Sequence, residues 1–341
     1  MATATARDLV RIMITARSVF AQLSATIGCD CINGFGITLK RVQGKRTDQP
    51  AIVFYVNQKL SLRSLPVQNR IPAQINIPWE YSEDGVLEVV TDVRALRFQA
   101  LKNVRGVRPC PGGYSIGHVD ITAGTLGCLV KDKLNPEVPV ILSNNHVLAN
   151  SNEAAIGDAI VQPGPYDGGA DPADRIATLT RFHPIQFTAG VNNLIDAAIA
   201  TPLQPWTDYV VHAIHEIGSD IPTATRNVGV GDLDAFVQKK GRTTGHTTGY
   251  ISDVMATARV KYGWGQKATY VDQIIIENPL PGPDFSAGGD SGSAVVDEDN
   301  QLIGLLFAGS ERNEAAGEPA TTIVNPIKHV FGLLDLETWA P

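Results

Sequence analysis

From residue 113 onward the chain is divided into short apolar segments, each too brief for a helix and each bounded by Gly, Pro, Asn or Asp. Stretches at 124–130, 138–142, 159–161, 175–179 and 195–200 read as strands, followed by 234–239, 248–254, 270–276, 293–296 and 302–308. With 32 Gly and 21 Pro to supply the turns, this texture predicts a mainly β fold of barrel or sandwich type. The breaker cluster Arg108-Pro109-Cys110-Pro111-Gly112-Gly113 marks where it begins. Pro202 and Pro205 frame a crossover at 203–206, so residues 113–203 and 206–341 read as two halves. A helix is expected over 325–334, with Pro326 in its first turn.

Residues 1–104 have a different character and predict a small α/β unit. Leu9, Ile12, Met13 and Phe20 lie at roughly helical spacing within 1–23. Strands are expected at 34–40, 51–58 and 87–93, the first two joined as a hairpin through the polar turn 43–50.

Charge and composition exclude several classes. With 28 basic and 35 acidic side chains the net charge is −7, the wrong sign for a phosphate-binding surface, so no nucleic-acid partner is expected. No apolar run approaches the ~18 residues a membrane helix needs. Four cysteines in 341 residues build no disulfide framework. Cys29 and Cys31 form only a C-x-C pair, and all four read as buried free thiols. The first residues carry arginines but no apolar signal core, so a cytoplasmic protein is expected. No metal or other cofactor is implied. His212 and His215 lack a third ligand, and 297–300 lacks the glycine and glutamate of a calcium loop and reads as a hairpin turn. Asp167, Asp171 and Asp174 read as solvated loop residues, and His246 as part of a turn.

The chemistry concentrates in Gly288-Gly289-Asp290-Ser291-Gly292-Ser293. A serine hydroxyl becomes a nucleophile only when a neighbouring base takes its proton. It also needs donors for the oxyanion that forms, and the flanking glycines let the amides of Gly289 and Ser291 point at one spot. Taken alone, the segment could equally be a Gly/Ser turn. Two upstream features add weight. His146 stands at the exit of the 138–142 strand, and Asp196 is a lone acid in the apolar run 193–200. A buried carboxylate needs a hydrogen-bond donor, which an imidazole supplies. The order His146, Asp196, Ser291 is one of the convergent triad orders.

Six blocks, TAGTLGCLV, ILSNNHVLA, QPGPYDGG, NNLIDAAIA, KKGRTTGHTTG and GGDSGSAV, occur in this order between 122 and 295. Residues 113–310 thereby resemble the chymotrypsin/trypsin-like serine peptidases, in their cytosolic-type bacterial and plant narrow-leaf-like branch. The resemblance implies two antiparallel β-barrels with the site between them. It implies His146 as base then acid, Asp196 as the holder of its tautomer, Ser291 as nucleophile, and Gly289 and Ser291 as the oxyanion hole. Phe285, six residues before the nucleophile, would line the base of the first specificity pocket, favouring an apolar or small side chain. Phe307, Ala308 and Gly309 would pair with substrate backbone by strand addition. Secreted relatives flank the site with disulfides, which no cysteine beside His146 or Ser291 allows. They also pair the acid before the nucleophile, here Asp290, with a newly cut chain terminus.

The leading expectation is therefore a serine endopeptidase acting through an acyl-enzyme on a protein or peptide. Two alternatives stand beside it: a binding or scaffold protein on a peptidase fold, and a self-processing peptidase with one dedicated partner. The apolar segments of the N-terminal unit, such as 67–77, make it the expected surface for homo-oligomerisation.

Overall fold

The computed structural model describes residues 32–42, 45–56, 70–78, 86–95, 98–99, 107–278, 283–312 and 318–339, with the single positions 17, 59 and 65. The expected helix within 1–23 and the Cys29–Cys31 pair lie outside these residues. The fold is mainly β, with strands arranged in three sheets. Cys110 and Cys128 are buried free thiols, and burial pushes the Cys128 thiol up to about 12.

One sheet carries most of the first half. Its order runs from Leu336–Thr338 through Cys128–Asp132, Pro139–Ser143, Ala198–Pro202, Arg175–Phe182, Ala159–Val161 and Ser115–His118 to Gly124–Thr125. Cys110, Ile116, Leu129, Ile141, Ile160, Ile176 and Leu179 fill its concave core. Pro139–Ser143 is buried along its whole length, so the sheet is covered on both faces there. Among the described residues the two end strands do not pair with each other, so this sheet is open.

The second half does close. Lys267–Glu277 pairs with Thr321–Pro326, then come Leu302–Ser310, Ala294–Val296, Phe236–Gly241 and Gly245–Lys261, which returns to Lys267–Glu277. Val237, Ile251, Ile276, Phe285, Val295, Ile303 and Val324 pack inside this ring. Burial of each such side chain contributes about 1.5–3 kcal/mol. Between sheet and ring a further apolar layer joins Val130, Leu142, Ile195 and Ile199 to Val296, Leu302, Leu305 and Ile327. The terminal helix is Ile327–Leu333, shorter than expected. Asn325 and Pro326 belong to the preceding strand instead.

The N-terminal strands continue the ring's sheet. Ile32–Val42 and Lys45–Val56 form a hairpin as expected, but residues 45–50, read as its turn, extend the second strand and pair back to Val42; Val86–Ala95 lies parallel to that strand. Ile32–Val42 also pairs with Gly245–Lys261, placing Gly34 opposite Ala258 and Phe35 opposite Thr257. That 17-residue strand serves two neighbours on one side because irregularities between Ile251 and Ala258 turn it part-way along. The sheet thus runs without interruption from the N-terminal unit into the second half.

A buried arginine fastens this junction. Arg94, 2% exposed, reaches Glu277 Oε1 at 3.3 Å, Asp92 Oδ2 at 3.4 Å and Thr38 Oγ1 at 2.9 Å, with Asp253 at 4.0 Å. A buried charge is tolerated only when its donors are satisfied, and here carboxylates of both parts supply the acceptors. Burial pushes Asp253 up from 3.8 to about 6, with Arg94 opposing the shift. Between these values the folded protein keeps a proton that the unfolded chain has released. This group's contribution to stability is therefore full below 3.8 and is lost as pH rises through about 6. Asp253→Asn should flatten that fall, as read from urea midpoints of both proteins across the same pH window.

Candidate active site

His146 projects from the four-residue helix Asn145–Leu148, which begins directly after the strand Pro139–Ser143. Two buried asparagines fix this exit. Asn145 Nδ2 donates to the carbonyl of His183 at 2.7 Å and to Asn152 Oδ1 at 2.8 Å. Asn144 Nδ2 donates to the carbonyl of Asp196 at 2.7 Å. The sequence reading singled out only the histidine here, although two asparagines at a fully buried strand end were the visible signal.

Asp196 lies two residues before the strand Ala198–Pro202 rather than within a strand. Its carboxylate is completely buried. Oδ2 accepts His146 Nδ1 at 2.6 Å, and Oδ1 accepts the His146 amide at 3.1 Å. Asn325 Oδ1 accepts the Asp196 amide at 2.9 Å, reaching across from the ring. With Nδ1 bonded to the carboxylate, the other ring nitrogen of His146 is left as the acceptor.

Ser291 sits on the turn before Ala294–Val296, 2% exposed. Gly292 has φ +96°, and a Cβ there would meet Ser143 Oγ at 2.1 Å and the Thr125 carbonyl at 2.3 Å, so only glycine fits. Gly124 joins the two sides of the site. A Cβ on it would lie 2.3 Å from the Val147 side chain and 3.0 Å from the Ser291 carbonyl, which brings the nucleophile turn against the residue after His146. The Thr125 amide donates to the same Ser291 carbonyl at 2.7 Å. Ser291 Oγ donates to the Phe307 carbonyl at 3.3 Å, and among the described residues no hydrogen bond joins it to His146.

The amides of Gly289 and Ser291 have no acceptor among the described residues. Gly289 adopts φ +96°, and its carbonyl is held by Thr125 Oγ1 at 2.6 Å. Asp290 anchors the turn from beneath. The resemblance pairs this acid with a cut terminus, but here an internal cation does the work: Lys239 Nζ lies 3.2 Å from Asp290 Oδ2, both side chains being wholly buried. Asp290 also accepts the amides of Thr243 at 2.8 Å and Ala287 at 2.9 Å, and Thr244 Oγ1 at 2.6 Å. Burial pulls Lys239 below the ordinary lysine range, and Asp290 opposes that shift. The signal was present in the sequence as a lysine in the apolar-alternating strand Phe236–Gly241.

The remaining expected positions are dispersed. Phe285 is fully buried inside the ring. Phe307, Ala308 and Gly309 lie on Leu302–Ser310, and the edge at Gly309 and Ser310 is already paired with Phe98–Gln99 of the same chain. Asp167 is not a solvated loop acid: it pairs with Arg242 and accepts Ser115 Oγ at 2.6 Å. His246 belongs to the strand Gly245–Lys261 and contacts Gln238 at 2.9 Å. Among the described residues no three His, Cys, Asp or Glu side chains gather to hold a metal.

No protein-family model and no curated protein matches the chain. Among solved structures it is similar to the Nocardiopsis protease NAPase, at 16% identity over 67% of this chain and 98% of that one, TM-score 0.44. It is similar to Thermobifida fusca protease A at 15% identity over 68% and 98%, TM-score 0.45. A glutamic-acid-specific serine protease matches at 15% identity over 67% and 99%, also with TM-score 0.45. These neighbours are chymotrypsin/trypsin-like serine proteases. Overlap of this size speaks of fold at most, and the chemistry rests on the residues themselves.

Lys239→Ala leaves Asp290 buried and uncompensated, and should cost about 3–5 kcal/mol of stability, measured by urea unfolding.

Proposed function

We propose that the protein is a serine endopeptidase of chymotrypsin/trypsin type that cleaves a protein or peptide through an acyl-enzyme on Ser291. The observation that carries this reading is the 2.6 Å bond from His146 to a buried Asp196, set against a glycine-framed serine turn. His146 takes the Ser291 proton as the hydroxyl attacks the scissile carbonyl, then returns it to the leaving amine. Asp196 holds the tautomer and stabilises the imidazolium. The amides of Gly289 and Ser291 receive the oxyanion, and their turn is anchored by Lys239 without a cut terminus.

On this reading residues 113–203 and 206–341 are the two barrel-like halves and 1–104 is an accessory unit that offers a surface for self-association. The assignment to the cytosolic-type bacterial and plant narrow-leaf-like branch, and a cytoplasmic place of work, belong to the same proposal. The machinery uses no metal and no cofactor. Phe285 gives the pocket floor an apolar character, which favours an apolar or small side chain in the substrate.

A fluorophosphonate probe should label Ser291, lose the label in Ser291→Ala and slow by about a thousandfold or more in His146→Ala. A folded wild-type protein that takes no label would overturn the proposal.

One observation favours self-processing as a second activity. Phe98–Gln99 already pairs antiparallel with Gly309 and Ser310, the edge where the resemblance seats a substrate strand. On this reading Phe98–Gln99 takes the place that the resemblance gives to a substrate strand. Incubation should then yield a fragment cut shortly after Gln99, seen by intact mass in wild type and absent from Ser291→Ala.

A further inference from the structure

The Asp196 carboxylate receives one more donor that the triad alone does not require. Tyr262 Oη lies 2.7 Å from Asp196 Oδ2, the same oxygen that accepts His146 Nδ1. Tyr270 Oη lies 2.6 Å from Tyr262 Oη. An ionised carboxylate can only accept, so the single Tyr262 proton is committed to Asp196 and the Tyr270 proton to Tyr262. The rings are fixed as tightly as the hydroxyls. Tyr262 meets the His146 ring edge-on with centroids 5.9 Å apart, and Phe187 at 5.4 Å. Tyr270 is fully buried and packs tilted against Phe307, centroids 4.6 Å apart, and the Phe307 carbonyl holds the Ser291 hydroxyl.

We propose that Tyr262 is a positioning residue of the triad, donating to Asp196 and held in place by Tyr270 from within the second half. This deepens the peptidase reading and rests on it. The chain of donors runs from Tyr270 to Tyr262 to Asp196 to His146, linking the imidazole to the strand that carries Phe307. It does two things. It fills an acceptor site on a carboxylate that water cannot reach, and it spreads the carboxylate's negative charge so that less of it is directed at the imidazole. Burial and the neighbouring Asp196 charge hold both phenols well above the ordinary tyrosine range, so each remains a donor wherever His146 can work. The titratable groups facing the cluster are His146, Asp196, Tyr262 and Tyr270. His183 lies alongside, its amide on the Ala197 carbonyl at 3.1 Å, while Asn144 and Asn325 contribute uncharged contacts.

Tyr262→Phe keeps the ring and removes only the hydroxyl. Asp196 stays in place through its bond to the His146 amide, and its full charge then faces the imidazole. The titration midpoint of the downfield His146 Nδ1 proton, read by one-dimensional NMR, should move to higher pH. Labelling of Ser291 by the fluorophosphonate should slow about tenfold at neutral pH, the effect of one hydrogen bond to a charged group. Its pH profile should shift upward in the same sense. A merely structural tyrosine would lower the unfolding midpoint and leave the NMR midpoint where it was, and that result in a folded Tyr262→Phe protein overturns the proposal. Should this variant not fold, Tyr270→Phe removes only the hydroxyl that donates to Tyr262. It must then shift the NMR midpoint the same way by a smaller amount, and an unmoved midpoint overturns the proposal. The NMR arm needs no turnover: a wild type that takes no label while the Tyr262→Phe midpoint still rises refutes the peptidase reading and supports the role of Tyr262.

Discussion

A carboxylate shut away from water must be given hydrogen bonds, and Asp196 collects them from both halves of the molecule. His146 reaches it from the first sheet, while Tyr262 comes from the far end of the ring's longest strand. The backbone of the same residue is tied to Asn144 on one side and Asn325 on the other. Each donor lost would leave an acceptor site on that buried carboxylate unfilled, a larger penalty than the gain of any one hydrogen bond. The two halves are thereby held in one relative position around the site, beyond what the apolar layer between them specifies. An apolar contact is tolerant of small slides; a set of directional bonds to one carboxylate is not.

The same problem is solved again elsewhere among the described residues. Asp290 and Lys239 neutralise each other beneath the nucleophile turn, and Arg94 is surrounded by Asp92, Asp253 and Glu277 where the N-terminal strands meet the ring. Each buried pair sits at a junction between chain segments far apart in sequence. The first fixes the turn that carries Ser291. The second binds residues 32–95 into the sheet that supports Asp253 and Glu277. With no disulfide among the described residues, these charged contacts and the apolar layers carry the register between segments.

Much of the site was legible because its chemistry has local signatures. The glycines around Ser291 announce a tight turn, His146 was conspicuous at a strand exit, and Asp196 as the lone acid in an apolar run that read as a strand. The N-terminal hairpin was equally plain from its two branched segments and the polar turn between them. Other features were hidden. Tyr262 stands in a Tyr-Gly-Trp-Gly turn with nothing to distinguish it from a surface aromatic, and its partner Tyr270 reads as an ordinary strand residue. Lys239 looked like one of two adjacent lysines on a strand; which of the pair points inward depends on register. Asn325 fell in an expected helix and proved to be the end of a strand facing Asp196. The extended pairing of Ile32–Val42 with Gly245–Lys261 joins residues more than 200 apart, and no local pattern reports such a partner.

By itself the sequence determined the mainly β character, the places where strands turn, and the three residues whose types suit nucleophilic chemistry. These follow from side-chain alternation, from glycine's conformational freedom and from the cost of burying an acid, all of which act over a few residues. Only the tertiary structure decided which donors satisfy each buried charge, that Lys239 rather than a chain terminus meets Asp290, and that the chain's own Phe98–Gln99 pairs with Gly309 and Ser310. Those are matters of strand register across long separations. A shift of one residue exchanges the inward and outward faces of a strand, and it is packing of the whole that selects between them.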